Sequence, residues 1–186
     1  NSATPIKLSE GEHKWYSFTA TKAGTYRFDV NRTDEDSTSI IGLYGAINLS
    51  STWISVSNDA TGKASIKHDL SAEQKIYLCV SGLDSAAAEL QLKATLLDAE
   101  SVYAGIDKEI SMKAGEVRYY KFDAPKTLAY SFSTVVAEDK KADGTIKVLD
   151  SINSSSLTNV YDLKDLDYNY ITDGRNVKYL EVSATE

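Results

Sequence analysis

Few side chains in this sequence have the chemistry that catalysis at neutral pH requires. The two histidines, His13 and His68, are the candidates for a general base, because imidazole titrates near neutral pH. Neither lies in a recognisable catalytic motif, and Asp69 beside His68 would point to the opposite face of a strand. Acidic residues are abundant, but nothing singles out the carboxylate pair of a glycosidase. We therefore predict that the chain is not an enzyme, and we assign no catalytic residue.

Acidic residues cluster in two loops, which lie at similar places in the two halves of the chain. Calcium needs several oxygen ligands at once, and clustered carboxylates on a bent loop supply them. Neither loop has the Asp-x-Asp-x-Asp-Gly spacing of a known calcium loop, and Lys140 and Lys141 in the second loop oppose a cation. The candidate metal ligands are Asp34, Glu35, Asp36, Asp139 and Asp143. Calcium is the one cofactor that the sequence suggests, and solvated acidic turns are the alternative that we favour.

Trp53 is the side chain best suited to binding a ligand. Alternation along its strand puts it on the polar face with Ser55, while Ile54 and Val56 take the apolar face. An exposed indole offers a stacking platform to a sugar ring or to an apolar group of a protein. The alternative, which we favour here too, is that the ring packs against a loop or between two modules.

Trp15 and Tyr119 are two further candidates for ligand binding. They occupy matching positions on the predicted outer faces of two similar strands. Packing is the alternative that we favour for this pair, because a duplicated domain preserves its packing requirements along with its sequence.

Charge and composition exclude several classes of partner. The net charge is −7 at pH 7, and no basic stripe is present to neutralise phosphates, so we expect neither nucleic acid nor an anionic membrane as a partner. No apolar run reaches the roughly 18–20 residues of a membrane span, which predicts no membrane insertion. The single cysteine, Cys79, allows no internal disulfide and no Cys-based metal site, and we interpret it as structural.

The strands that must position these side chains belong to a pattern that occurs twice. The segment from Gly11 to Ala20 returns as Gly115 to Ala124, a shift of 104 residues (115 − 11). Solenoid repeats run to roughly 20–50 residues, so this period indicates a duplicated domain. The matched aromatic residues are Tyr16, Phe18, Tyr26 and Phe28 in the first copy and Tyr120, Phe122, Tyr130 and Phe132 in the second.

Short alternating strands separated by turn residues predict an all-β protein made of two tandem β-sandwich domains of jelly-roll type. We place copy one at residues 1–99 and copy two at 100–186. Copy two has no counterpart of the Leu90–Leu96 strand, and an exposed edge beside a missing strand is a hazard for pairing with another chain. A continuation of the protein past Glu186, a second molecule, or the Val102–Ile106 segment would cover that edge.

This core pattern resembles the bacterial pre-peptidase C-terminal domain, a small β-sandwich module attached to secreted peptidases and other surface proteins. The similar elements in the first copy are Gly11 with Tyr16-x-Phe18, Tyr26-x-Phe28-x-Val30, Leu43-Tyr44 and Ile76-Tyr77-Leu78-Cys79-Val80. The second copy supplies Gly115, Tyr120-x-Phe122, Tyr130-x-Phe132 and Tyr179-Leu180-Glu181-Val182. The resemblance implies an extracellular, non-catalytic accessory role, and it implies calcium or matrix polymers as ligands of some relatives.

Together these features predict a non-catalytic adhesion or substrate-targeting segment of a secreted or cell-surface bacterial protein. Its expected partners are a polysaccharide or an extracellular protein, together with the neighbouring domains of a larger chain. The alternative is a structural spacer that holds a functional neighbour away from the cell.

Overall fold

The computed structural model describes residues 3–33, 38–82, 88–126, 129–132, 144–153, 159–162, 168–171 and 177–184. The chain divides into two compact units, Asn1–Leu97 and Asp98–Glu186. Strands dominate both units, so the predicted all-β class is confirmed. Among the described residues, no helix is long and apolar enough to cross a membrane.

The first unit is a sandwich of two four-stranded sheets. One sheet has the order β1-β8-β3-β6 and the other β2-β7-β4-β5. A 3-10 turn, Leu49–Ser51, precedes β5. The strands are β1 (Thr4–Leu8), β2 (His13–Thr19), β3 (Gly24–Arg32), β4 (Ser39–Tyr44), β5 (Thr52–Ser57), β6 (Lys63–Leu70), β7 (Lys75–Gly82) and β8 (Ala88–Leu96).

Alternating apolar residues from both sheets form the core of the first unit. Phe28 on β3 and Ile41 on β4 are fully buried in one cluster, which also includes Leu90 on β8. Phe18 packs edge to face on Phe28, with ring centroids 5.2 Å apart. Because side chains alternate along a strand, one face of each sheet supplies this core and the other face remains outside it.

The second unit contains a five-stranded sheet of order β13-β12-β15-β10-β9 and a strand pair, β11-β14. Its core includes Tyr120, Val148 and Leu180 from the larger sheet, with Phe132 of β11 packed against them. The strands are β9 (Ala99–Val102), β10 (Val117–Asp123), β11 (Ala129–Phe132), β12 (Gly144–Leu149), β13 (Asn159–Asp162), β14 (Tyr168–Ile171) and β15 (Val177–Ala184).

Strand β9 covers the edge of β10 in the second unit. It runs parallel to β10, with Ala99 opposite Tyr119 and Val102 opposite Phe122. In the first unit the strand equivalent to β10 is β2, which is the edge strand of its sheet among the described residues. The segment that follows β8 therefore adds a fifth strand to the sheet of the second unit.

Two turns of the first unit recur in the second unit with the same hydrogen bonds. The backbone N–H of Ser9 donates to Glu12 Oε2 at 2.8 Å, and that of Lys113 donates to Glu116 Oε2 at 2.9 Å. The hydroxyl of Tyr26 donates to the carbonyl of Lys22 at 3.0 Å, and Tyr130 does the same to Lys126 at 3.0 Å. These matched hydrogen bonds fix how the chain enters two core strands of each unit.

Candidate functional site

Four exposed apolar side chains of the first unit lie close together in the sequence, two on β5 and two in the connection from β4 to β5. Ile47, Leu49, Trp53 and Ile54 are 63%, 52%, 48% and 40% exposed. We call these four residues the β5 patch. Exposed apolar clusters of this kind commonly mark interaction sites, and β5 is the edge strand of its sheet.

The turn that carries the β5 patch is fixed by its own hydrogen bonds. Asn48 caps the 3-10 turn by accepting from the backbone N–H of Ser50 at 2.9 Å through Oδ1. The hydroxyl of Ser51 donates to the carbonyl of Asn48 at 2.8 Å, and that of Thr52 to the carbonyl of Leu49 at 2.7 Å. These short polar side chains stabilise the backbone of the turn locally, and this turn leads directly into β5.

Trp53 lies at a β-bulge, which changes the direction of its side chain. Leu43 pairs with Ile54 and Tyr44 pairs with Thr52, so the register passes over Trp53. The indole contacts the ring of His68 on β6, with centroids 5.5 Å apart, although strict alternation predicted the outer polar face. A bulge re-aims side chains in this way, and it turns Trp53 toward the edge strand of the opposite sheet.

The backbone of Gly45 also lies close to the Trp53 ring. A Cβ atom on Gly45 would lie only 2.9 Å from Cζ2 of the indole. The ring therefore rests on bare backbone at Gly45 and on an imidazole at His68, while about half of its surface faces solvent. Both alternatives considered for this side chain apply, because it is partly covered by neighbours and partly exposed.

Trp15 is half-buried and packs against Tyr44. Their ring centroids are 4.8 Å apart and the ring planes meet at 62°. Trp15 is directly opposite Cys79 on β7, so these side chains share the outer face of the sheet. Cys79 is nevertheless buried, and burial raises the pKa of its thiol. This cluster fits the packing interpretation of Trp15.

Tyr119 does not offer the exposed ring that ligand stacking requires. Its side chain is 4% exposed, and its hydroxyl donates to Glu181 Oε2 at 2.8 Å. Lys147 donates to the other oxygen of that carboxylate, also at 2.8 Å. The ring is therefore part of a cross-strand network, and we correct the prediction that Tyr119 binds a ligand.

The structure brings together one pair that sequence analysis missed. His13 Nδ1 lies 2.6 Å from Ser81 Oγ, and Ser81 Oγ lies 3.7 Å from Cys79 Sγ. Within the described part of the chain, His13 has no carboxylate partner to orient it as a triad would require. Ser81 is buried, so a substrate has no direct access to its hydroxyl. The two residues are distant in sequence, and no local motif could have linked them.

The candidate calcium ligands lie outside the described residues. This applies to Asp34, Glu35 and Asp36 in the first loop and to Asp139 and Asp143 in the second. Among the residues that are described, no group of three or more His, Cys, Asp or Glu side chains is arranged to hold a metal ion. Calcium binding by the two loops stays a prediction.

The aliphatic members of the β5 patch were also missed by sequence analysis. Ile47 and Leu49 lie in a turn outside the strands of the first unit, and Ile54, which alternation placed on the apolar face, is 40% exposed. Apolar residues within a turn are the signal that could have drawn attention to them, because a turn has no core-facing side on which to bury them.

Comparisons with known proteins give little guidance. No protein-family model matches the sequence, and no curated protein matches it. Among solved structures, the Yersinia pseudotuberculosis-derived mitogen is similar, with 12% sequence identity and a TM-score of 0.39 over 53% of this chain and 87% of that one.

Proposed function

We propose that this chain is a non-catalytic binding segment and that the β5 patch is its recognition surface for an extracellular protein. The observation that carries the proposal is the exposure of Trp53 and Ile54 on β5 together with that of Ile47 and Leu49 in the connection that precedes it. Tryptophan is enriched among the residues that dominate binding energy at interfaces. A preformed turn also reduces the entropy that is lost when a partner binds.

The aliphatic side chains favour a protein over a polysaccharide as the partner. A sugar ring stacks on the face of an aromatic side chain, but Ile47, Leu49 and Ile54 offer no such face. Exposed aliphatic residues close to an exposed tryptophan in the sequence are compatible with the apolar centre of a protein interface, which polar groups surround. Ser50, Ser51 and Thr52 supply polar groups beside the patch.

The proposal includes a location outside the cell or on its surface. The resemblance of the core pattern to the pre-peptidase C-terminal domain favours a secreted or cell-surface bacterial protein, in which this chain is one segment among other domains. The acidic composition is compatible with an exposed, soluble surface. A role in adhesion or substrate targeting follows if the β5 patch binds a matrix protein.

Binding of the full chain to immobilised collagen tests the proposal, with cellulose, chitin and bacterial cell wall as parallel surfaces. We expect binding to collagen that Trp53→Ala weakens by at least about tenfold, which corresponds to about 1.4 kcal/mol. Val117→Ala serves as the matched control, because Val117 is an exposed apolar residue of the second unit. This control should bind as the unmodified chain does.

The other outcomes have defined meanings. Trp53-dependent binding to a polysaccharide alone would replace the protein partner with a carbohydrate. Absence of binding to every surface would contradict a recognition role and favour a structural spacer. Repeating each assay in calcium and in a chelator tests the calcium prediction, since loss of binding only in the chelator would support a metal site.

A further inference from the structure

Strand β5 is an edge strand with an uncharged sequence. Within the described part of the chain it pairs with β4 alone, and its residues, Thr-Trp-Ile-Ser-Val-Ser, include neither a charged side chain nor a proline. Five of its six residues are exposed. Its bulge lies near the beginning of the strand, and the register from Ile54 to Ser57 is regular. A regular, exposed edge of this kind is a template for pairing with another strand.

The other three edge strands of the first unit are protected against such pairing. Natural proteins protect edges with lysine, proline and other charged residues. Residues of these types are Pro5 and Lys7 on β1, Lys14 on β2, and Lys63 and Lys67 on β6. Strand β5 therefore differs from the other edges of its own unit, and its edge is the one that favours pairing.

The hydrogen-bond phase of β5 shows which backbone groups point to the open edge. The backbone N–H of Asn58 donates to the carbonyl of Ser39 at 3.0 Å, and this bond continues the register in which Ile41 lies opposite Val56. Because hydrogen-bonded and non-bonded positions alternate in an antiparallel pair, Val56 bonds to β4. The backbone groups of Ser55 and Ser57 then point away from β4, toward the open edge.

The sequence of β5 is complementary to itself in one antiparallel register. When Ser55 lies opposite Ser55 of a second copy, Ile54 lies opposite Val56 of that copy, and Val56 opposite Ile54. Opposed residues of antiparallel strands point to the same face, so these aliphatic side chains meet on the side that faces the opposite sheet. Trp53 lies opposite Ser57, and no charge opposes another, since β5 carries none.

We propose that β5 is a self-association surface, through which two copies of this chain pair as antiparallel edge strands about a twofold axis between their Ser55 residues. The backbone groups of Ser55 and Ser57 gain hydrogen-bond partners. Ile54, which is 40% exposed in the single chain, gains an aliphatic neighbour from the second copy. An interface in which the same surface serves both copies closes at two and leaves no open end. This proposal concerns the chain alone and does not depend on recognition of an extracellular protein.

Sedimentation equilibrium of the full chain tests the proposal. The weight-average mass should rise toward twice that of the monomer as the concentration approaches about 1 mM, because one strand from each copy forms a small interface. Ser55→Lys should weaken association by about fivefold, since it places two like charges opposite each other. Ser17→Lys, the same change on edge strand β2 of the same sheet, should not weaken it. A monomer mass at every concentration, or equal weakening by both variants, would overturn the proposal.

The salt dependence of association provides an independent check. Each copy carries a net charge of −7, so the two copies repel each other at low ionic strength. Association through an uncharged strand should therefore strengthen between about 20 mM and 500 mM NaCl, as salt screens this repulsion. Weaker association at high salt would show that opposite charges hold the copies together, which contradicts pairing through β5.

A disulfide bond can test the register of the pair. Residues at a hydrogen-bonded position of antiparallel strands have Cα atoms about 5.5 Å apart, within the range of about 4.4–6.8 Å that disulfides span. Under air oxidation, Ser55→Cys should form a covalent dimer at least about tenfold faster than Ser17→Cys, because pairing raises the effective concentration of the two thiols. Cys79 is present and buried in both variants. Equal rates of dimer formation would contradict the proposed register.

Discussion

The ring centroids of Trp53 and His68 lie 5.5 Å apart, with their planes inclined by 31°. The two residues belong to edge strands of opposite sheets, β5 and β6, so their contact closes one edge of the first sandwich. The same contact leaves about half of the indole in solvent. Trp53 is therefore positioned by packing and still available to a partner, which is the basis of the proposed recognition surface.

The position of the Trp53 ring should be sensitive to Gly45. An added methyl group in Gly45→Ala would approach Cζ2 of the indole to 2.9 Å, so the ring must move away from the turn. We expect a change in tryptophan fluorescence and weaker collagen binding, with a loss of unfolding free energy below about 1 kcal/mol, as is usual at exposed sites. The same substitution in a Trp53→Phe background should leave the fluorescence of Trp15 unchanged, and a change there would contradict this explanation.

The second unit should unfold before the first. Its core borders a cavity of about 400 Å³, whereas the core residues of the first unit are closely packed between two four-stranded sheets. Both tryptophans lie in the first unit, so their fluorescence reports that unit alone, while far-UV circular dichroism reports both. We expect an early urea transition by circular dichroism that tryptophan fluorescence does not show. Coincident transitions by the two probes would contradict independent units.

Equivalent phenylalanines provide a matched test of which unit unfolds first. Phe28 is fully buried, and Phe28→Ala should lower the free energy of unfolding in the fluorescence-detected transition by about 3–5 kcal/mol. Phe132 borders the cavity, so Phe132→Ala should affect only the early transition, and by less. A shift of the fluorescence transition by Phe132→Ala would show that the two cores are not separate.

The repeat and the strand periodicity were enough to predict the all-β class. Tyr26 and Tyr130 could be aligned by sequence, and their hydroxyls make the same backbone hydrogen bonds at equivalent turns. The surroundings of the candidate site were not predictable in this way. The contact of Trp53 with His68 occurs at a bulge. The hydroxyl of Tyr119 donates to Glu181, which also accepts from Lys147, and these partners are distant in sequence although their strands are neighbours in the sheet. Local patterns specify which residues face a core, but not what covers the opposite face.

The thiol of Cys79 should be unreactive in the folded protein. The side chain is buried, and burial raises the pKa of the thiol, which disfavours the reactive thiolate. We expect labelling by a disulfide reagent at pH 8 to be at least about a hundredfold slower than in urea, because it requires opening of the structure. Trp15→Ala should accelerate labelling, since Trp15 lies opposite Cys79, whereas Trp53→Ala should not. Equal acceleration by both variants would indicate general destabilisation.

Glu12 and Glu116 should make stability depend on pH in the acid range. The backbone N–H of Ser9 holds the pKa of Glu12 below its usual value, and a hydrogen bond from Arg118, followed by one from the backbone of Lys113, does the same for Glu116. A carboxyl group whose pKa is lower in the folded state stabilises that state above its unfolded pKa, roughly 4.3. This contribution is lost as the pH falls through the folded pKa.

Substitution of these two carboxyl groups by amides tests the pH dependence directly. Glu12→Gln and Glu116→Gln should each lower the urea midpoint at pH 7 and reduce its fall between about pH 5 and pH 3. Each effect should appear in the transition of its own unit, fluorescence-detected for Glu12 and circular-dichroism-detected for Glu116. Glu10→Gln is the control, because Glu10 makes no hydrogen bond or ion pair with the described residues. An equal change of slope in the control would mean that net charge, rather than the two turn hydrogen bonds, sets the acid sensitivity.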